Sequence, residues 1–175
     1  MYPVTYVDAS ANCSVEACTG SATNPLDNLT AGIERGPAQY GGQIYVKPGV
    51  YKGPANREIS VTTKRLFISQ WPSTVGSVVV DCEKQSSGFM FFDGEYALSD
   101  LVIQNCTTSS PTGGAVIYSY SSRLALNNVT LLANSTTGQG GGMTVELGLA
   151  FVYGGAFVGN SASGGGGGVL VNTSH

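Results

Sequence analysis

Gly88-Phe89-Met90-Phe91-Phe92, Gly114-Ala115-Val116-Ile117-Tyr118, Gly142-Met143-Thr144-Val145-Glu146 and Gly168-Val169-Leu170-Val171-Asn172 are four versions of one segment, a glycine opening a short apolar run. The four glycines stand 26, 28 and 26 residues apart. Eight residues before the last three come Cys106, Asn134 and Asn160, and six before the first comes Cys82. Three residues earlier again lie Val79, Ile103, Leu131 and Phe157, an apolar column in register with the glycines. A third segment recurs between the columns, as in Ala97-Leu98-Ser99 and Leu124-Ala125-Leu126. A period of this size with three short strands and three turns is what one coil of a parallel β-helix requires. Successive coils would stack at the strand spacing of about 4.8 Å, like residues above like. Leucine-rich repeats need regularly spaced leucines and ankyrin repeats need helices, and neither pattern is present.

The columns make further expectations. Gly88, Gly114, Gly142 and Gly168 suit positive φ at tight corners. Asn134 and Asn160 read equally as a side-chain amide ladder or as simple turn formers. Cys82 and Cys106 occupy one column of successive coils, which puts their Cα atoms about 5 Å apart, within disulfide range. Cys13 and Cys18 then close a local loop, and no thiol is left free among the four cysteines. The alternative is four buried thiols in a reducing compartment.

Upstream of the repeat, Val4-Thr5-Tyr6-Val7 alternates as a short strand does. The stretch from Asn24 to Gly36 reads as a short amphipathic helix with Asn24 as cap, Pro25 at the first helical position and Leu26, Leu29 and Ile33 on one face. Apolar segments at Ile44-Val46, Ile59-Val61, Leu66-Ile68 and Val78-Val80 read as strands. This divides the chain into an N-terminal strand, disulfide loop and capping helix over 1–43 and β-helix coils over 44–175, within one domain. The last segment, Val169 to His175, falls in the middle of a repeat with no closing element, so the stack is expected to be truncated at its C-terminus.

Charged side chains make up 11% of the 175 residues, against about a quarter in ordinary globular chains, while 25 residues are glycine. The net charge of -3 and the lack of any Lys/Arg cluster argue against nucleic acid and anionic membranes. No apolar run approaches the roughly 20 residues of a spanning helix, and Met1-Tyr2-Pro3 does not open a signal segment. Export is favoured instead by the even cysteine count and by six N-glycosylation sequons, at Asn12, Asn28, Asn105, Asn128, Asn134 and Asn172. Ser/Thr frequency alone accounts for about two such sites, although Asn, Ser and Thr also crowd together in turns. An extracellular or cell-surface location follows from this reading.

Several stretches resemble a known superfamily. Thr5-Tyr6-Val7-Asp8, the loop Thr19-Gly20-Ser21-Ala22-Thr23-Asn24-Pro25-Leu26 and Gly42-Gln43-Ile44-Tyr45-Val46-Lys47-Pro48-Gly49-Val50-Tyr51 resemble the opening of pectin-lyase-like right-handed parallel β-helix proteins. Phe157-Val158-Gly159-Asn160 with Gly166-Gly167-Gly168-Val169, and Thr112-Gly113-Gly114-Ala115-Val116, are similar to the repeats of polymorphic outer-membrane proteins. The resemblance implies an all-β right-handed solenoid whose first coil is capped by a helix. For function it implies only a range, from polysaccharide lyases and glycoside hydrolases to adhesins and wall proteins.

Such enzymes need acidic residues converging on one face, either around Ca²⁺ beside a basic residue or as an acid/base pair. From residue 101 onward the charged side chains are Arg123 and Glu146, with His175 at the frayed terminus. The catalytic candidates that remain are Asp93, Asp100 and Arg123, with Asp81, Glu83, Lys84 and Glu95 nearby; the competing reading makes them solvated turn residues. No cofactor or metal motif is present, and Gly164 to Gly168 lacks the Lys-Ser/Thr of a phosphate loop. Trp71, Tyr118, Tyr120 and Tyr153 read either as a sugar-stacking surface or as packing. The residues therefore point away from catalysis, toward a structural, adhesive or carbohydrate-contacting module whose partner is a cell-wall or extracellular polysaccharide or another surface protein. A polysaccharide lyase or hydrolase, and a fragment of a larger surface protein, stand as the alternatives.

Overall fold

The structure is a computed structural model and describes residues 4–14, 17–36, 42–62, 64–109 and 116–172. Its strands are short and parallel and recur in the same order. A six-stranded sheet is formed by Val4–Val7, Gly42–Val46, Arg65–Gln70, Glu95–Ser99, Arg123–Asn127 and Leu149–Tyr153. A second sheet has Gly49–Tyr51, Val78–Asp81, Leu101–Gln104, Thr130–Leu132 and Ala156–Val158. A third has Ile59–Thr62, Phe89–Phe92, Ile117–Tyr120, Met143–Glu146 and Val169–Asn172. The chain visits these sheets in turn, each strand pairing with its counterpart one coil away, which makes the fold an all-β parallel β-solenoid. The later coils add a fourth, two-residue strand at Thr107–Thr108, Ser135–Thr136 and Ser161–Ala162, so the expected three strands per coil become four there.

The register corrects the glycine column. Phe89, Ile117, Met143 and Val169 pair in succession, so Gly88, Val116, Gly142 and Gly168 are the residues that open the strands. Gly114 lies outside the described residues, and the strand of its coil starts two residues later than the glycine spacing predicts. None of Gly88, Gly142 and Gly168 has positive φ. At two of them the reason for glycine is proximity: a Cβ on Gly88 would lie 2.7 Å from the Val116 carbonyl oxygen, and one on Gly142 would lie 2.5 Å from that of Gly168.

The left-handed residues stand at the corners instead. Asp100, Asn128 and Gly154 (φ 60°, 51° and 69°) share one corner, Asn105, Ala133 and Gly159 (54°, 53° and 62°) a second, and Asp93, Ser121 and Leu147 (50°, 49° and 52°) a third. Left-handed backbone is unfavourable for Ala, Leu or Ser by about 1–2 kcal/mol. It is held here because the ladder continues through the corner: Asp100 N–H donates to Asn127 O at 2.9 Å, Ala133 N–H to Val158 O at 2.8 Å and Leu147 N–H to Asn172 O at 3.1 Å.

The second expected column is displaced at its first member. Val80, not Val79, pairs with Ile103, and Leu131 and Phe157 follow. Val79 points outward because side chains alternate along a strand. Disulfides nevertheless join Cys82 to Cys106, with Cα atoms 4.7 Å apart, and Cys13 to Cys18. Beyond Cys106 the column is an amide ladder. Asn134 Oδ1 accepts from the Cys106 N–H at 2.8 Å, and Asn134 Nδ2 donates to Asn160 Oδ1 at 2.8 Å and to Ile103 O at 3.3 Å. Asn160 Nδ2 in turn donates to Leu131 O at 2.8 Å.

Inside the coils, like stacks on like: Ile44, Ile68, Leu98 and Leu126 form one buried column, and Phe89, Ile117 and Met143 another. Each such side chain contributes about 1.5–3 kcal/mol by leaving water. The helix runs over Leu29–Arg35 with Asn28 as its N-cap, whose Oδ1 accepts from Ala31 N–H at 2.8 Å. It is shorter than expected, because Leu26 pairs as an isolated bridge with Val7, which leaves Asn24 and Pro25 outside the helix. Leu29 and Ile33 are buried, and Gly32 comes so close to Val7 that a Cβ would lie 2.6 Å from its Cγ2. The strand Val4–Val7 belongs to the same sheet as the later coils, so the N-terminal segment is part of the stack.

Two substitutions test this packing. Ser119 is wholly buried between Phe91 and Val145, and its hydroxyl has no hydrogen-bond partner among the described residues. Ser119→Ala is expected to stabilise the protein by about 1 kcal/mol, read as a higher urea midpoint. Asn134→Ala strands the Cys106 N–H and is expected to destabilise by about 2–3 kcal/mol, seen as a lower midpoint with an unchanged m-value.

Candidate functional site

The corner between the first and second sheets differs in length from coil to coil. Asp100 alone connects Glu95–Ser99 to Leu101–Gln104, whereas Trp71 to Ser77 connects Arg65–Gln70 to Val78–Asp81. The longer connection stands proud of the short corners of the following coils and walls a groove of about 460 Å³. Gln70, Trp71 and Thr74 line it from one side, and Asp100, Asn128 and Thr130 from the other. The loop is fixed from within: Trp71 N–H donates to Val46 O at 2.7 Å and Gln70 Nε2 to Thr74 O at 3.0 Å. The Trp71 ring rests on Tyr6 at 4.6 Å between centroids, and Tyr6 contacts Tyr45 at 5.7 Å. Across the groove, Asn128 Nδ2 donates to Asp100 Oδ1 at 2.8 Å.

On the other side of Trp71 lies a second depression of about 320 Å³, lined by Asp8, Thr23, Pro25, Lys47 and Thr74. Lys47 Nζ lies 2.7 Å from Asp8 Oδ2. Burial by itself raises the Asp8 pKa, but hydrogen bonds from Lys47 and from Ser10 outweigh it and hold the carboxyl below the ordinary 3.8. Asp81, outward on the second sheet, behaves similarly, its burial outweighed by donors from Glu83 N–H, Gln104 and Asn105.

The outer face of the first sheet carries a ladder of Arg65, Glu95 and Arg123, beside a column of Phe67, Ala97, Ala125 and Phe151. The small alanines between the two rings leave a shallow depression of about 340 Å³.

Asp93, Asp100 and Arg123 do not converge. Asp93 and Asp100 flank opposite ends of Glu95–Ser99, roughly 15 Å or more apart at the rise of an extended strand. Arg123 lies at the Asp93 end, 3.9 Å from Glu95 Oε1, with its side chain 65% exposed. Glu83 pairs instead with Arg57 at the edge of the second sheet. The four aromatics separate too: Tyr118 and Tyr120 are on the third sheet with Phe92, where Tyr118 donates to Glu146 Oε2 at 2.7 Å. Burial and Glu146 push the Tyr118 hydroxyl well above the usual tyrosine range. Tyr153 is 61% exposed at the far end of the first sheet. His175 lies outside the described residues. No grouping of three His, Cys, Asp or Glu placed to hold a metal, and no helix long and apolar enough to cross a membrane, occurs among the described residues. The sequence signal for the Tyr6–Tyr45–Trp71 cluster is faint: Tyr6 and Tyr45 hold equivalent places in Val4–Val7 and Gly42–Val46.

No family model and no curated protein matches the chain. A solved structure described as "Rhamnogalacturonan lyase" is similar at 16% identity with a TM-score of 0.47. The match covers 95% of this chain and 44% of that one, so the chain spans less than half of that protein's length.

Asp8 and Asp81 set an acid limit. A carboxyl whose folded pKa is depressed contributes stability that is complete above its unfolded pKa, here about 3.8, and is lost as pH falls through the lower folded value. Urea midpoints are expected to hold between pH 6 and 5 and to fall below about pH 4, with Asp8→Asn showing a smaller fall.

Proposed function

We propose that this chain is a non-enzymatic, carbohydrate-contacting β-solenoid module that works outside the cell or at its surface. The observation that carries the reading is the groove that Trp71 lines together with Gln70, Thr74, Asp100, Asn128 and Thr130. Saccharide rings present an apolar face to an aromatic and a rim of hydroxyls to such donors and acceptors. Asp100 is the carboxylate of this groove, and its hydrogen-bonded neighbour is an amide, not a second acid. Acid/base hydrolysis calls for two opposed carboxyls, and the described lining of the groove offers one. Two disulfides and six sequons support a location in an oxidising, glycosylating environment.

Retention on immobilised cell-wall and extracellular polysaccharides tests the proposal. Trp71→Ala is expected to weaken retention about ten-fold, equivalent to ~1.4 kcal/mol. Release of new reducing ends or unsaturated sugars by the wild-type protein would overturn the non-enzymatic reading in favour of a lyase or hydrolase.

A further inference from the structure

We propose that Asn128 is an N-glycosylation site whose glycan fills the groove beside Trp71, whereas Asn134, with an equally good sequon, stays unmodified in the folded protein. The inference rests on the reading that the chain passes through a glycosylating export route, and it adds a control on the groove.

The two sites differ in what their amide nitrogens are doing. Glycosylation replaces one of the two hydrogens on Nδ2. The nitrogen attacks the anomeric carbon of a lipid-diphosphate-linked oligosaccharide; the C–N bond forms, the C–O bond to diphosphate breaks, and the lipid diphosphate leaves with the electron pair while the amide gives up one proton. At Asn134 both Nδ2 hydrogens are engaged, to Asn160 Oδ1 and to Ile103 O, from a side chain with 0% exposure, so a sugar on that nitrogen would break the ladder and could not fit in the folded coil. A glycan there would have to replace the core of the coil. Asn128 is exposed on a tight corner, and its Nδ2 donates to Asp100 Oδ1 at 2.8 Å. The hydrogen left after modification can keep that bond.

Position then decides the consequence. Asn128, its sequon partner Thr130 and its hydrogen-bond partner Asp100 all line the groove opposite Trp71. The first sugars of the glycan are thus tethered at the wall of a site suited to sugars, at an effective concentration that a free polysaccharide does not reach. A glycan seated there competes with an outside ligand, so retention on polysaccharide is expected to be weaker in chains that carry it than in chains that lack it.

Trp71 is the sole tryptophan, so its fluorescence reports the groove with no ligand added. The full chain would be secreted from a eukaryotic host that N-glycosylates, and sequon occupancy read by peptide mass spectrometry. Asn128 is expected to be occupied in most molecules and Asn134 in none. Acrylamide quenching of Trp71 is expected to be at least two-fold weaker in this protein than in Asn128→Gln or in wild-type protein refolded from a host without N-glycosylation, the latter keeping the comparison valid if the variant does not fold. An empty Asn128, an occupied Asn134, or equal quenching in glycosylated and unglycosylated protein would each overturn the proposal. Failure of every polysaccharide to bind the unglycosylated protein would remove the carbohydrate-contacting function and leave the quenching result standing.

Discussion

Each strand of this chain hydrogen-bonds to the equivalent strand one coil away, and that single pairing rule governs the rest of the structure. It forces like over like at about 4.8 Å, so one apolar residue at an inward position implies another above and below it. Ile44, Ile68, Leu98 and Leu126 follow this rule, and so do the corners, where backbone N–H groups of left-handed residues continue the ladder. The ladder explains why Ala133 and Leu147 tolerate a conformation that they would not adopt alone. It also means that most pairing partners lie some two dozen residues apart, a topology that favours slow folding.

The periodicity was legible in the sequence because stacking imposes it on composition. The apolar runs, the Cys82–Cys106 pairing and the coil length could all be read from spacing. The register was less legible. Glycine spacing predicts the strand start, but the requirement at that place is closeness of backbone, and Val116 fills it where Gly88 and Gly142 fill it elsewhere. Val79 and Val80 are chemically equivalent, so only the pairing distinguishes the outward from the inward one. Asn24 followed by Pro25 predicts a helix cap there, whereas the bridge from Leu26 to Val7 moves that role to Asn28.

The candidate site was the least legible part. The poverty of charge in the later coils is legible by counting residues, whereas the separation of Asp93 from Asp100 is not. An extended strand carries residues apart by about 3.3 Å each, and the five residues of Glu95–Ser99 suffice to put the two acids on different edges. Conversely, Tyr6, Tyr45 and Trp71 are far apart in sequence and meet because two strands stack and a loop folds over them. The groove itself comes from a difference in corner length between neighbouring coils, which no residue type announces.

That difference in corner length bears on how such a protein can diversify. Extending a connection from one residue to seven adds only about 2 kcal/mol of closure entropy, and the strands on either side keep their partners. A corner is thus a place where heritable insertions reshape the outer surface while the packed interior is left alone. Because each coil touches only its neighbours, such changes can accumulate independently along the stack. The seven-residue Trp71–Ser77 loop and the single-residue corner at Asp100 mark the two ends of that freedom within one chain.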